Sequence, residues 1–294
     1  MSPRHRAAAC GLILSAFLTA SGCVSTAAMP ETAPAVRDTH EQLHAVLWMQ
    51  TAAEFRALSL QTYQSAGRLM DQALADRNWT AAIEQTGNFA SLPPAVIVDV
   101  DETVLDNSAY QARLIESGAS YSSVTWKEWV DEERATALPG ALEFARAAAA
   151  KGVTIFYVTN RKAIEEEPTR RNLIRLGFPI PASPDVLLVR GERPEWSKGD
   201  KTPRRSFVAA SYRVLFQIGD NLGDFIAEED LTIENRFEVA ERYRDFWGTR
   251  WFMIPNPAYG HWEEAILDYS FDRSDAEKLR MKREHLDDGR NPVD

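Results

Sequence analysis

The sequence predicts an α/β fold: a Rossmann-like, doubly wound parallel sheet with a helical accessory region beside it. Three observations carry this prediction. After Pro93-Pro94 the chain alternates between short strand-like runs and helical stretches, the pattern of a parallel sheet covered on both faces. Between Asp38 and Leu74 there is no proline, and Leu43, Leu47, Leu58, Tyr63, Leu69 and Met70 recur at roughly helical spacing. The polar residues of the second half gather where strands end, and sheets of this kind bind ligands beyond the carboxyl ends of their strands.

Taken in order, residues 1–22 read as a leader. MSPRHR carries two arginines, Ala7 to Ala20 is apolar apart from Ser15 and Thr19, and Ser-Gly-Cys follows. The run is too short to span a bilayer comfortably and has the shape of a secretory signal. Ala20-Ser21-Gly22-Cys23 resembles a bacterial lipobox, with Cys23 as the lipidated first residue of the mature chain. An ordinary signal peptide with a stray cysteine is the plain alternative. The chain has two cysteines, Cys10 and Cys23, so an exported mature chain keeps one and has no internal disulfide. Residues 23–37 are small and proline-containing, a tether. Val24 after the cysteine, by resemblance to other bacterial lipoproteins, points to the outer membrane.

Residues 38–92 form the N-terminal helical region: one or two helices up to Leu74, and a further short helix in NWTAAIEQTGNF. Residues 93–294 hold the sheet and the C-terminal helices. The strand candidates are Ala95–Asp99, Val153–Thr159, Asp185–Val189, Val214–Gly219 and Trp251–Ile254. Helices are expected over Pro139 to Ala150, from Pro168 to a stop at Gly177, and near Pro203. The tail from Ala276, AEKLRMKREHLDDGRNPVD, is charged and helical, then frayed. No internal repeat is present.

The strand ends carry the chemistry. The first, VIVDVDETVLDN, runs out at Asp99 and Asp101; the second, VTIFYVTNR, at Thr159, Asn160 and Arg161; a later one, VLFQIGDNLGDF, at Asp220 and Asp224. Lys201 stands immediately before Thr202, a good N-cap, and Pro203, a good first helical residue. An isolated Asp-x-Asp is usually a solvated loop, and a threonine ending a strand is usually nothing. Together, at the mouth of one sheet, they need an explanation.

Two carboxylates about 4 Å apart repel by roughly 4 kcal/mol at an effective dielectric near 20. Asp99, Asp220 and Asp224 therefore need a counter-charge. A hard divalent cation with oxygen ligands fits, and Mg²⁺ prefers a few carboxylates with phosphate and water. The backbone carbonyl of Asp101 offers a further ligand. Lys201 and the Thr159 hydroxyl would hold an anionic group. Asp99 is then a nucleophile towards phosphorus, and Asp101 the acid for the leaving oxygen and the base for water.

DVDET, VTN, the Lys201 site and GDNLGD resemble the four motifs of the haloacid dehalogenase (HAD) superfamily of phosphatases. DVDETVLDNSAY, LPGALEF, FYVTNR, IGDNLGDF and PNPAYGHWE look more closely like the class C acid phosphatases, bacterial lipoprotein phosphatases that act as 5′-nucleotidases. The resemblance runs from about Ala95 to Trp262. It implies a haloacid dehalogenase-like fold, Mg²⁺, and phosphate contacts from Thr159, Asn160 and Lys201. It also implies a nucleobase held between aromatic rings, at positions matching Tyr121 and Tyr259. Gly223 departs from the family, which often has an acid there, and KTPRR matches only loosely. Trp126 and Trp129 read as core or cap packing.

The expectation is a Mg²⁺-dependent acid phosphatase acting on phosphomonoesters, nucleoside 5′-monophosphates above all. Other small esters such as sugar phosphates, a phospho-accepting receiver module, and a non-enzymatic ligand-binding lipoprotein are the alternatives. Export and a phosphoacceptor on the first strand speak against the receiver. A net charge of −10 speaks against nucleic-acid polymers as partners. The helical region could shape the base pocket or make a homodimer contact.

Overall fold

The computed structural model describes residues 40–228, 231–270 and 272–289. The leader, Cys23 and the tether lie outside the described residues. The elements, in chain order, are α1 (Leu43–Thr51), α2 (Ala53–Ala75), β1 (Pro94–Val98), β2 (Leu105–Asp106), α3 (Ser108–Ser117), α4 (Ser123–Asp131), β3 (Thr136–Ala137), α5 (Ala141–Ala150), β4 (Thr154–Lys162), α6 (Glu166–Leu176), β5 (Leu187–Arg190), α7 (Thr202–Ser211), β6 (Arg213–Gly219), α8 (Ile233–Arg242), β7 (Trp251–Met253), α9 (His261–Ile266) and α10 (Asp275–Glu284).

Five strands form one sheet in the order β5-β4-β1-β6-β7, and every neighbouring pair is parallel. The chain starts at the central strand β1, winds outward through β4 and β5, then crosses back to β6 and β7. That reversal puts the ends of β1, β4 and β6 side by side, where this class of sheet places its ligand. The central strands are buried along their length, Val96, Ile97 and Val98 among them. This is why they read as continuous apolar runs.

Between β1 and α5 the chain makes an excursion through α3 and α4. The antiparallel pair β2 and β3 closes its base, with Leu105 opposite Ala137 and Asp106 opposite Thr136. In the helical region α1 packs on α3, with Gln50 Nε2 donating to the Ser108 hydroxyl at 3.2 Å, and α2 packs on α5. The Tyr63 ring of α2 lies 5.7 Å from Phe144 of α5, and the Tyr63 hydroxyl donates to the Thr103 carbonyl at 2.8 Å. Buried Arg213, the first residue of β6, donates to the carbonyls of Ala73, Leu74 and Asp76. It thereby satisfies groups that the end of α2 leaves open.

All five strands predicted from sequence are present. Two bounds differ. β4 runs on to Lys162, so Thr159, Asn160 and Arg161 sit within it. β5 begins at Leu187, whose N–H is held by the Asp185 carboxylate at 3.2 Å. The short helix expected in NWTAAIEQTGNF is absent: the segment is turns and irregular chain. Gln85 takes over its polar bonding. It donates to the carbonyls of Ala209 and Tyr212, and it accepts from Thr80 and the Val214 N–H. Side chains that bond to backbone in this way compete with helix. No helix among the described residues is long and apolar enough to cross a membrane.

Candidate active site

The site begins where β1 ends. The Asp99 N–H still donates to Ile218 of β6, at 2.9 Å, so the residue is fixed by the sheet before the chain leaves it. A tight turn follows. Val104 and Leu105 both return their N–H groups to the Val100 carbonyl, and Glu102 sits at φ 52°. Asp101 is carried two residues beyond Asp99 on the rim.

Asp220 and Asp224 come from the loop after β6, in which Leu222–Asp224 form one turn of 3-10 helix. The Asp224 carboxylate accepts the Asn221 N–H at 2.9 Å. It packs so closely on Gly219 that a β-carbon there would lie 2.2 Å from its oxygen. One oxygen each from Asp99, Asp220 and Asp224 lies within 4.8 Å of the others. The buried Lys201 ammonium bonds Asp99 and, at 2.6 Å, Asp224. Among the described residues Asp220 has only neutral donors, Asn256 at 2.8 Å and the Thr103 hydroxyl at 3.4 Å.

The electrostatics follow from this. Burial pushes Asp99 up to about 7; Lys201 opposes the rise, while Asp224 and Asp101 add to it. Burial, then Asp224 and Asp99, push Asp220 well above the usual carboxylate range. Burial works against the Lys201 charge, but Asp224 and Asp99 outweigh it and hold the ammonium ionised. Three carboxylates share one cation, and they lack the charge that a divalent ion supplies. With oxygen donors only, the set fits a hard ion such as Mg²⁺.

Asp101 is placed differently. Its carboxylate is outside the triad, held by Arg161 and by Asn107. Thr159 is fully buried, with its hydroxyl 3.5 Å from Asp101. Asn160 accepts from Arg204 at 2.7 Å. Lys201 itself is the residue flanking α7, one place earlier than the cap expected at Thr202, and the Asp200 carboxylate holds the Thr202 N–H.

The stretch KTPRR is explained by the two arginines behind Lys201. Both are buried. Arg204 donates to the Thr159 carbonyl and to Asn160; burial lowers its guanidinium to about 10. Arg205 joins Glu84, the Gly223 carbonyl and Thr202. They tie α7 to the ends of β4 and β6. Gly223 is explained as well. A β-carbon there would lie 2.3 Å from a Glu228 oxygen. Glu228 is itself buried and paired with Arg236 and His261.

The two aromatic candidates differ. Tyr121 is 60% exposed just before α4, its ring 6.4 Å from Trp126. Tyr259 is half-buried and donates its hydroxyl to Glu102. Asn256, in the same loop, accepts the Ala258 N–H while bonding Asp220, so PNPAYG is pinned to the acid cluster. Trp126 and Trp129 are buried, as expected for packing. Arg161, Asn107, Glu102 and Asn256 carry site contacts that sequence reasoning did not assign. All four stand inside the blocks DVDETVLDN, VTNR and PNPAYG, and that was the available signal.

A profile of the HAD superfamily, subfamily IIIB (acid phosphatase), matches residues 12–262. The class C acid phosphatase of Bacillus anthracis is 36% identical, with a TM-score of 0.72 over 84% of this chain and 96% of that one. The same enzyme with tungstate bound gives 35% and 0.73 over the same shares. Acid phosphatase 1 of Solanum lycopersicum is 26% identical over 166 residues, which is 55% of this chain. The match spans 57% of that plant protein's length.

Proposed function

The chain belongs to subfamily IIIB of the HAD superfamily, the acid phosphatases, and from that premise we propose that it hydrolyses nucleoside 5′-monophosphates with Mg²⁺ through an aspartyl-phosphate on Asp99. The observation that carries the reading is the triad of Asp99, Asp220 and Asp224 around the single ammonium of Lys201. Three carboxylates beside one ammonium are a surplus of acid that a divalent cation makes neutral, and that cation with Lys201 then offers positive charge to a phosphoryl group. Tungstate is an oxyanion, and its binding to the Bacillus anthracis protein supports an oxyanion site here.

Asp99, Asp220, Asp224 and the Asp101 carbonyl would hold the metal. When bound, it supplies charge for the phosphoryl oxygens and keeps Asp99 ionised despite its burial. An Asp99 oxygen attacks phosphorus. The bond from phosphorus to the leaving oxygen breaks, its electron pair stays on that oxygen, and Asp101 gives the proton. Lys201, Thr159 and Asn160 hold the phosphoryl group. In the second half a water oxygen attacks phosphorus, the acyl-phosphate bond breaks, and Asp101 takes the water's proton.

The exposed ring of Tyr121 and the anchored ring of Tyr259 offer stacking faces for a base, and stacking tolerates many bases. The leader fits an exported protein held by a lipid on Cys23 at the outer membrane; loss of lipid labelling in Cys23→Ser is the expected check.

The test is phosphate release from AMP by the mature chain and by Asp99→Asn, with and without Mg²⁺. Metal-dependent release is expected, with a loss of at least about 10³-fold in the variant. Full activity in Asp99→Asn would remove the nucleophile. Turnover of glucose 6-phosphate equal to that of AMP would remove the nucleotide pocket.

A further inference from the structure

We propose that Arg161 is a positioning residue for the general acid: with Asn107 it occupies one oxygen of Asp101 and leaves the other to carry the proton. The inference rests on the reading of Asp101 as that acid.

The geometry separates the two carboxylate oxygens. Oδ1 accepts three N–H groups, from Arg161 Nε at 3.0 Å, Arg161 Nη2 at 2.8 Å and Asn107 Nδ2 at 2.9 Å. Among the described residues Oδ2 has only the shared Arg161 Nε at 3.3 Å and the Thr159 hydroxyl at 3.5 Å. A proton on Oδ1 would point at three other donors. A proton on Oδ2 meets none squarely, and the Thr159 hydroxyl can turn to accept it.

The clamp is itself held. Arg161 is almost fully buried and donates to the Thr169 hydroxyl at 2.9 Å. The Asn107 amide oxygen accepts from Trp129 Nε1 at 2.8 Å and from Arg161 Nη2 at 3.3 Å. The Trp126 ring lies 5.3 Å from the guanidinium carbon. Lysine in place of Arg161 would keep the charge and lose the planar fork. During turnover the Oδ2 proton passes to the leaving oxygen as its bond to phosphorus breaks. In the second half Oδ2 accepts a proton from the attacking water.

Misplaced acids cost most when the leaving group is poor. Phenyl phosphate and p-nitrophenyl phosphate differ mainly in that respect, and neither carries a nucleobase. Their kcat/KM values are to be measured for the wild-type enzyme, Asp101→Asn, Arg161→Lys and Trp129→Phe. Asp101→Asn is expected to lose much more on phenyl phosphate. Arg161→Lys should show the same selectivity, about 10- to 100-fold on phenyl phosphate and under about 3-fold on the nitro compound. Trp129→Phe should show a smaller effect of the same sign, and it decides alone if Arg161→Lys does not fold.

Equal losses on both esters in the Arg161 and Trp129 variants, beside a selective loss in Asp101→Asn, overturn the proposal and leave the reading of the acid intact. Equal losses in Asp101→Asn overturn that reading and the proposal with it.

Discussion

A carboxylate at position 223 would have to share its space with Glu228, whose oxygen lies 2.3 Å from where a β-carbon would be. Gly223→Asp is therefore expected to cost about 1–3 kcal/mol. That appears as a fall in Tm of about 2–4 °C per kcal/mol, and the same change made in a Glu228→Ala background should cost much less than it does in the wild-type chain. Neighbouring His261 sets a pH dependence. Burial opposes its charge, but the hydrogen bond and charge of Glu228 raise it above its usual 6.5, with Glu264 adding and Arg236 opposing. A raised pKa means stability that is full below 6.5 and lost as pH climbs through the folded value. Thermal melts from pH 6 to 9 should fall more steeply for the wild-type chain than for His261→Gln. At this scale the acids, Thr159 and Lys201 were legible, because their identity and place at strand ends are enough to mark them. Arg161 and Asn256 were not. Their meaning depends on whom they meet, Asn107 at 54 residues' remove and Asp220 at 36, and no local pattern records that.

The elements were legible wherever packing and propensity agree. The sheet strands are buried on both faces and read as apolar runs; α2 repeats its apolar face over 23 residues. The segment from Asn78 to Phe89 misled because its composition permits helix while Gln85, itself held by Thr80, spends its hydrogen bonds on β6 and its approach. β4 ran past its predicted end because, after an irregularity beyond Val158, the strand pairs once more at Lys162, opposite Arg190. From outside the sheet α2 bears on the site through the bond from the Tyr63 hydroxyl to the Thr103 carbonyl. Tyr63→Phe leaves that carbonyl buried and unpaired. The expected loss is about 1–3 kcal/mol of stability, read from denaturant melts, with a fall in kcat as the turn between Asp99 and Leu105 loosens.

At the scale of the molecule, ten surplus negative charges surround a site built for a dianion. Between about 0.01 and 0.15 M salt the screening length shrinks from about 30 to about 8 Å. Long-range repulsion of substrate should fade with it. KM for AMP is expected to fall at least about twofold over that range at fixed Mg²⁺, while competitive inhibition by neutral adenosine stays constant; a KM that rises would show that local cations govern capture. The general architecture was legible from the alternation of elements. The excursion through α3 and α4 was not, because the pairs that close it, Leu105 with Ala137 and Asp106 with Thr136, are too short to leave a pattern. That closure has an evolutionary consequence. The two ends of the insert meet on adjacent strands, so the stretch from 107 to 135 can be lengthened, shortened or exchanged between lineages without disturbing the sheet beneath. Asn107, which reaches the acid, Trp129, which holds Asn107, and Trp126, which faces Arg161, are bound to travel unchanged. The same seam is where an engineer would graft a new specificity.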